Sequence, residues 1–160
     1  HGFDDQGSKY DGDGNLVSWW TDADREQFEA RTKGLVEQFS KFEALPGLFV
    51  NGELTLGENI GDLGGTSIAL KAYRMSLDDQ PSPTIDGFSG EQRFFLGNAQ
   101  SSRIKWRDQI LEIIVRTDPH SPDVYRINGV FPNMSDFYRT YDVQPGDDLF
   151  LPEQQRVKIW

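Results

Sequence analysis

The segment from residue 58 to residue 77 is the feature that most constrains the fold, because its apolar residues recur at helical spacing. Leu63, Leu70 and Leu77 stand seven residues apart and mark the core face of one long α-helix. Gly64 and Gly65 interrupt this pattern, and each glycine costs on the order of 1 kcal/mol in a helix interior. We therefore expect another element to approach the helix closely at this glycine pair.

Other segments also have helical patterns, and strand signals are few. Thr21 with Asp24 resembles a capping box that opens a helix, and Pro46-Gly47 is expected to end that helix. Further helices are predicted from about residue 91, through 110–115 and over 135–141, whereas 78–90 is typical of an exposed loop. A short strand is predicted over 48–50, and 125–130 has a mixed pattern. The sequence therefore predicts a mainly α fold with little sheet.

Composition excludes several classes of partner and site. The 160 residues are one domain-sized piece, and the formal net charge of −10 argues against nucleic acid and anionic membrane surfaces as partners. No apolar run approaches the roughly 20 residues of a membrane span, and no signal-type segment opens the chain. The chain has no cysteine, so disulfides and thiolate metal sites are impossible. Any metal must be held by histidine, aspartate or glutamate, and there are only two histidines.

One face of the long helix is a candidate metal site. Glu58 and Asp62 stand four residues apart, so their carboxylates project from the same side. One carboxylate could bind a metal while the other orients a ligating imidazole. A histidine such as His1 and a distant glutamate are ligand types that zinc accepts, and catalytic zinc sites use three protein ligands. The alternative is a solvated acidic face with no metal.

Two further segments have the residue types of a site. His120 lies between two prolines, which stiffen the backbone, and Arg126 follows six residues later. Such a pair is suited to a polarised carbonyl and a peptide backbone or carboxylate, whereas the alternative is a surface histidine. Residues 11–15 place oxygen-bearing side chains at alternate positions, like the start of a calcium loop. The match fails at Leu16 and Asp22, which favours a surface turn.

Five separated motifs in this chain resemble one family. In that family a His-Glu-x-x-His motif is followed by Gly-Phe-Asp-Asp. If Gly2-Phe3-Asp4-Asp5 is aligned with this run, His1 is the second histidine of the motif. The matching residues are His1-Gly2-Phe3-Asp4-Asp5, Gly57 through Gly65, Phe94-Phe95 with Gly97 and Ala99-Gln100, Asp118 with His120-Ser121-Pro122 and Arg126, and the tail Val157-Lys158-Ile159-Trp160. In this order they resemble the C-terminal catalytic region of the neprilysin and endothelin-converting-enzyme family of zinc metallopeptidases.

The resemblance implies a role for each candidate residue. His1 and Glu58 would be zinc ligands, and Asp62 would orient the motif's first histidine. His120 would stabilise the developing oxyanion, and Arg126 would bind a backbone carbonyl or terminal carboxylate of the peptide on the leaving-group side. The motif's first histidine and its general-base glutamate are not among the 160 residues.

The resemblance also implies an organisation. Residues 1–160 would be the C-terminal part of a peptidase catalytic domain, a helical gluzincin subdomain in which the Glu58 helix packs beside the end of the active-site helix. The parent would be a zinc metalloendopeptidase that cleaves oligopeptides with Zn²⁺ as cofactor. The missing N-terminal portion of the parent chain would be a partner of this piece.

Several expectations follow for the piece itself. Without the base and one ligand it should be inactive and should bind zinc weakly or not at all. Apolar surface near residues 1–20 should be exposed, leading to association or mobility. Animal members of the family that this chain resembles use disulfides, so the absence of cysteine indicates a bacterial relative, in the cytoplasm or in the cell envelope or secreted. Ser101 and Ser102 stand where family members often have an aromatic residue, which alters the expected specificity on the leaving-group side. The competing hypotheses are a non-catalytic helical interaction domain and a catalytically dead homologue.

Overall fold

The computed structural model describes all 160 residues and confirms a mainly α architecture. Its six α-helices are α1 (Asp22–Phe39), α2 (Leu56–Ser76), α3 (Gly90–Ser101), α4 (Asp108–Thr117), α5 (Asp123–Asn128) and α6 (Ser135–Tyr141). Short 3₁₀ helices occur at Gly7–Lys9, Phe131–Asn133 and Glu153–Gln155. The only sheet is an antiparallel pair, β1 (Glu43–Leu45) and β2 (Leu48–Phe49). None of the helices combines the length and the apolarity that a membrane span needs.

The N-terminal cap of α1 is confirmed, but the predicted end of that helix is wrong. The Thr21 side chain accepts a hydrogen bond from the backbone N–H of Asp24. The helix ends at Phe39, well before Pro46. The chain leaves the helix there because Phe42 stacks on Tyr125, with ring centroids 4.5 Å apart, and because the backbone N–H of Val50 bonds to the carbonyl of Phe42. Residues 43–49 therefore form the hairpin.

The central helix α2 has the predicted core face. Leu63 and Leu70 are buried, and Leu77 caps the C-terminal end of the helix. The core around them combines residues from several helices with the C-terminal tail, whose Ile159 is buried beside them. Its buried apolar members are Leu35, Phe39, Val50, Ile60, Leu63, Leu70, Phe95, Val130, Phe131, Met134, Phe137 and Ile159. This core fixes α1, α2, α3 and α6 relative to one another, and Tyr125 and Ile127 of α5 pack against it.

Residues 125–128, within the segment 125–130 whose sequence pattern is mixed, lie in a helix. Helix α5 follows Pro122, has Asp123 in its first turn and ends before Gly129. A Cβ at position 129 would lie 2.6 Å from Cζ of Phe39, so only glycine lets the end of this helix pack on α1. The buried 3₁₀ turn that follows, Phe131–Asn133, continues the packing into the core.

Candidate functional site

Helix α2 places the predicted ligand Glu58 in its first turn, next to the start of the chain. Nε2 of His1 lies 3.7 Å from Oε1 of Glu58. The two residues are far apart in sequence, and the structure brings them together. The Glu58 side chain is mostly buried, whereas the His1 ring remains largely accessible.

The His1 ring is held by Asp4, which the sequence reasoning did not single out. Nδ1 of His1 lies 2.7 Å from Oδ2 of Asp4. The other Asp4 oxygen accepts hydrogen bonds from the backbone N–H groups of Gln6, at 2.9 Å, and Gly7, at 2.7 Å. A carboxylate that accepts from Nδ1 fixes the imidazole tautomer and leaves the lone pair of Nε2 free for a metal. The spacing of three residues between His1 and Asp4 was the available signal.

Glycines on α2 allow the N-terminal segment to approach, but not the pair predicted to do so. A Cβ at Gly61 would lie 3.4 Å from Cε1 of His1, and a Cβ at Gly57 would lie 2.9 Å from Oδ1 of Asp5. At Gly65 a Cβ would meet nothing within 4 Å, and at Gly64 only the Trp160 ring, at 3.7 Å. The expectation for Gly64 and Gly65 was therefore wrong, because the close approach occurs earlier on the helix. Residues 1–9 make that approach as turns and a 3₁₀ helix rather than as an α-helix.

His120 lies on the other side of Glu58. Its Nε2 is 3.0 Å from Oε2 of Glu58, and its Nδ1 is 2.8 Å from Oδ1 of Asp118. Both contacts are hydrogen bonds only when both ring nitrogens carry a proton. The backbone N–H of His120 also donates to the Asp118 carboxylate. This backbone bond, and to a smaller extent the bond from the ring, lowers the pKa of Asp118. Glu58 therefore lies between the two histidines of the chain.

Asp62 holds Arg126 in this structure, and the histidine that Asp62 is predicted to orient is not among the 160 residues. Nε and one terminal nitrogen of Arg126 each donate to a different Asp62 oxygen at 2.7 Å. This two-point contact fixes the plane of the guanidinium, and its hydrogen bonds raise the pKa of Arg126. The remaining N–H donors of Arg126 are left for another acceptor. The sequence predicts a site role for each of these two residues but does not predict that they form an ion pair.

A cleft of about 480 Å³ opens beside this ion pair. It is lined by α2, the end of α3 and α5, with both residues of the ion pair on its wall. Only three of its twelve lining residues are hydrophobic, and Asn98, Ser101 and Ser102 contribute polar groups. The cleft is large enough for one or two amino-acid side chains, and its lining favours a polar occupant.

The donor atoms of the chain fit part of a metal site. Across the 160 residues, no three histidine, cysteine, aspartate or glutamate side chains converge to hold a metal ion. His1 and Glu58 contribute one nitrogen and one oxygen donor. In the loop over residues 11–15, the Asp11 carboxylate accepts hydrogen bonds from the backbone N–H groups of Asp13 and Asn15, as in a surface turn.

Comparison with known proteins gives a consistent result. Residues 1–157 match the sequence model of peptidase family M13. The chain is 40% identical over 146 residues to neprilysin-11 of Caenorhabditis elegans, a match that covers 88% of this chain and 17% of that protein. It is 38% identical over 165 residues to human endothelin-converting enzyme 1, covering all of this chain and 21% of that protein.

The fold has a close counterpart among solved structures. The crystal structure of the Mycobacterium tuberculosis zinc metalloprotease Zmp1 in complex with an inhibitor superposes with a TM-score of 0.96. That protein is 53% identical in sequence, and the match covers all of this chain and 25% of that one. The chain thus spans about a quarter or less of the length of these relatives.

Proposed function

Because this chain belongs to peptidase family M13, we propose that residues 1–160 form the C-terminal part of the catalytic domain of a zinc-dependent metalloendopeptidase that hydrolyses oligopeptides. The observation that carries the proposal is the convergence of His1 and Glu58, with Asp4 orienting the imidazole. The similarity to a bacterial zinc metalloprotease over the whole chain supports it.

The separation of the two donors is compatible with zinc as the metal. Bond lengths near 2.0–2.2 Å and a tetrahedral angle place two zinc ligands about 3.4 Å apart. Nε2 of His1 and Oε1 of Glu58 are 3.7 Å apart, so a small movement of either side chain suffices. When bound, zinc polarises a peptide carbonyl and lowers the pKa of a bound water to about 7.

The other site residues would act on the peptide. His120 is held by Asp118 with Nε2 directed toward Glu58, so in the ring with both nitrogens protonated the Nε2–H would be placed to donate to the oxyanion that forms at the scissile carbonyl. Arg126, fixed by Asp62, would bind a backbone carbonyl or terminal carboxylate on the leaving-group side. The adjoining cleft would receive the leaving-group side chain.

The third zinc ligand and the general base would come from outside these residues. The chain has no third side chain that converges on His1 and Glu58, and it spans a quarter or less of its relatives. We therefore propose that an upstream portion of the same protein supplies a histidine and a glutamate of the His-Glu-x-x-His motif. The 160 residues alone should show no measurable peptidase activity.

The test is a side-by-side measurement of zinc content and peptide hydrolysis on the longer protein and on the 160 residues, with and without a chelator. The proposal expects a zinc-loaded, active longer protein whose activity the chelator abolishes, and an inert 160-residue piece. A longer protein that carries no zinc and cleaves no peptide would instead indicate a catalytically dead homologue. Zinc-dependent hydrolysis by the piece alone would refute the assignment of the missing groups.

A substitution tests the role of Arg126 separately. In the longer protein, Arg126→Gln should raise KM for peptides about tenfold or more, because a charge-assisted contact contributes about 1.5–3 kcal/mol. Arg116→Gln is the matched control, since Arg116 is exposed and pairs only with Glu112 one turn away. Equal KM values for the two variants would remove Arg126 from the substrate site.

A further inference from the structure

A chain of buried polar side chains connects α2 to the loop that carries His120. Oγ of Ser121 donates to Oδ1 of Asn59 at 2.8 Å, and Nδ2 of Asn59 donates to Oγ1 of Thr55 at 3.0 Å. The Thr55 hydroxyl in turn donates to the carbonyl of Asn51 at 3.1 Å. Thr55, Asn59 and Ser121 are each at most 3% exposed.

Burial makes this contact selective for one geometry. A buried amide or hydroxyl that loses its hydrogen-bond partner is destabilised, so the Asn59 amide favours the position in which Ser121 reaches it. An apolar pair of similar volume would fill the space but would allow the two segments to slide. The hydrogen bond therefore fixes both the distance and the orientation of the loop relative to α2.

The positions of the two residues link this bond to the candidate site. Asn59 directly follows Glu58, and Ser121 directly follows His120, so the bond joins segments 62 residues apart at the site itself. A second contact, Asp62 to Arg126, joins the same two segments further along both of them. Directly before the Asn59–Ser121 contact in both segments, Nε2 of His120 lies 3.0 Å from Oε2 of Glu58.

We propose that Asn59 and Ser121 are a positioning pair that sets where the His120 ring lies relative to Glu58. Neither side chain reaches the peptide or the proposed metal; they act by holding the backbone on which His120 and Glu58 are mounted. The inference rests on the proposed function only for its consequence in catalysis. The placement of the ring is a property of these residues themselves.

The catalytic consequence is tested in the longer protein with Ser121→Ala and Asn59→Ala. A shift of the His120 ring by up to about 1 Å should lower kcat about 10- to 100-fold. KM should change little, because Arg126 and the cleft are untouched, and zinc content should stay equal to that of the wild type. The double variant should lose no more than the worse single variant, since both changes remove the same bond.

The matched control is Asn133→Ala. Asn133 is also a buried asparagine with several partners, namely Gln38, the carbonyl of Gly129 and the backbone N–H of Val157. Its loss should lower the melting temperature as much as Ser121→Ala does, but should leave kcat unchanged. If kcat falls equally in all variants in proportion to stability, Asn59 and Ser121 are only structural and the proposal is overturned.

A second measurement needs no catalysis. In the 15N-labelled 160-residue chain, long-range proton–nitrogen spectra report the hydrogen bonds of both His120 ring nitrogens. We expect Ser121→Ala to change the Nε2 signal, which reports the contact with Glu58, while Asn133→Ala leaves it in place. An unchanged Nε2 signal in Ser121→Ala would overturn the proposal. If the wild-type protein neither binds zinc nor cleaves peptides, the proposed function fails and these spectra alone decide the positioning pair.

Discussion

The four glycines of α2 provide a graded test of how the N-terminal segment packs on this helix. At Gly65 the residue is exposed and an added Cβ meets nothing within 4 Å. Alanine there should stabilise the chain by about 1 kcal/mol, the difference in helix propensity between the two residues. For a chain of this size, that corresponds to a rise of roughly 2–4 °C in the melting temperature.

The stability gained by replacing glycine with alanine should disappear toward the N-terminal end of the helix. At Gly64 the added Cβ makes an ordinary contact with Trp160, at 3.7 Å, so alanine should still stabilise. At Gly61 it would touch the His1 ring at 3.4 Å, and at Gly57 it would lie 2.9 Å from the Asp5 carboxylate. Overpacking of this kind costs on the order of 1–3 kcal/mol, so Gly57→Ala should destabilise.

Urea unfolding followed by circular dichroism measures the four free energies of unfolding. The expected order of stability is Gly65→Ala and Gly64→Ala above the wild type, Gly61→Ala near it, and Gly57→Ala below it. If Gly57→Ala stabilises the chain as much as Gly65→Ala does, residues 1–5 do not pack on α2 and the placement of His1 beside Glu58 is wrong.

Three further predictions concern the core, acid stability and association. Leu70→Ala should cost about 3 kcal/mol because this side chain is fully buried, and a loss below about 1 kcal/mol in urea unfolding would contradict the packing. The hydrogen bond from Arg74 lowers the pKa of Glu91. At pH 7 the free energy of unfolding of the wild type should exceed that of Arg74→Leu by about 1 kcal/mol, as expected for this half-exposed pair. The difference should fade as pH falls below about 4.3, and a pH-independent difference would refute this prediction. Because Phe3 and Trp19 expose a large apolar surface, sedimentation of the 160 residues should reveal concentration-dependent association or mobility near residues 1–20, whereas a monodisperse monomer with ordered first residues would refute it.

The sequence predicts the parts of the fold that depend on helical periodicity and on helix capping. The cap at Thr21, the buried leucines of α2 and the last helix, α6, follow from local patterns that tertiary packing does not override. The end of α1 was missed because it depends on Phe42 reaching Tyr125, a contact between residues 83 positions apart. Helix α5 was missed because its six residues are too few for a clear helical period.

The same distinction holds at the site. Residue types singled out His1, Glu58, Asp62, His120 and Arg126, and the structure gathers all five around the N-terminal half of α2. The sequence does not predict which carboxylate contacts which histidine or arginine, because the possible pairs differ only in the direction of their side chains. Asp62 contacts Arg126 and Asp4 holds His1, and neither contact is predicted by the sequence. The role of Asp62 toward the first histidine of the motif stays a prediction, because that histidine is not among the 160 residues.

The most direct test of the central claim is the zinc affinity of the longer protein with Glu58→Gln, measured by competition with a chelator of known affinity. Glu53→Gln is the control, since Glu53 is an exposed glutamate five residues earlier. If Glu58 is a ligand, its variant should bind zinc at least about 100-fold more weakly, since even loss of a group that only supports a ligand costs 10- to 100-fold. The control should bind as the wild type does. Equal affinities for both variants would show that the face formed by Glu58 and His1 is not a zinc site.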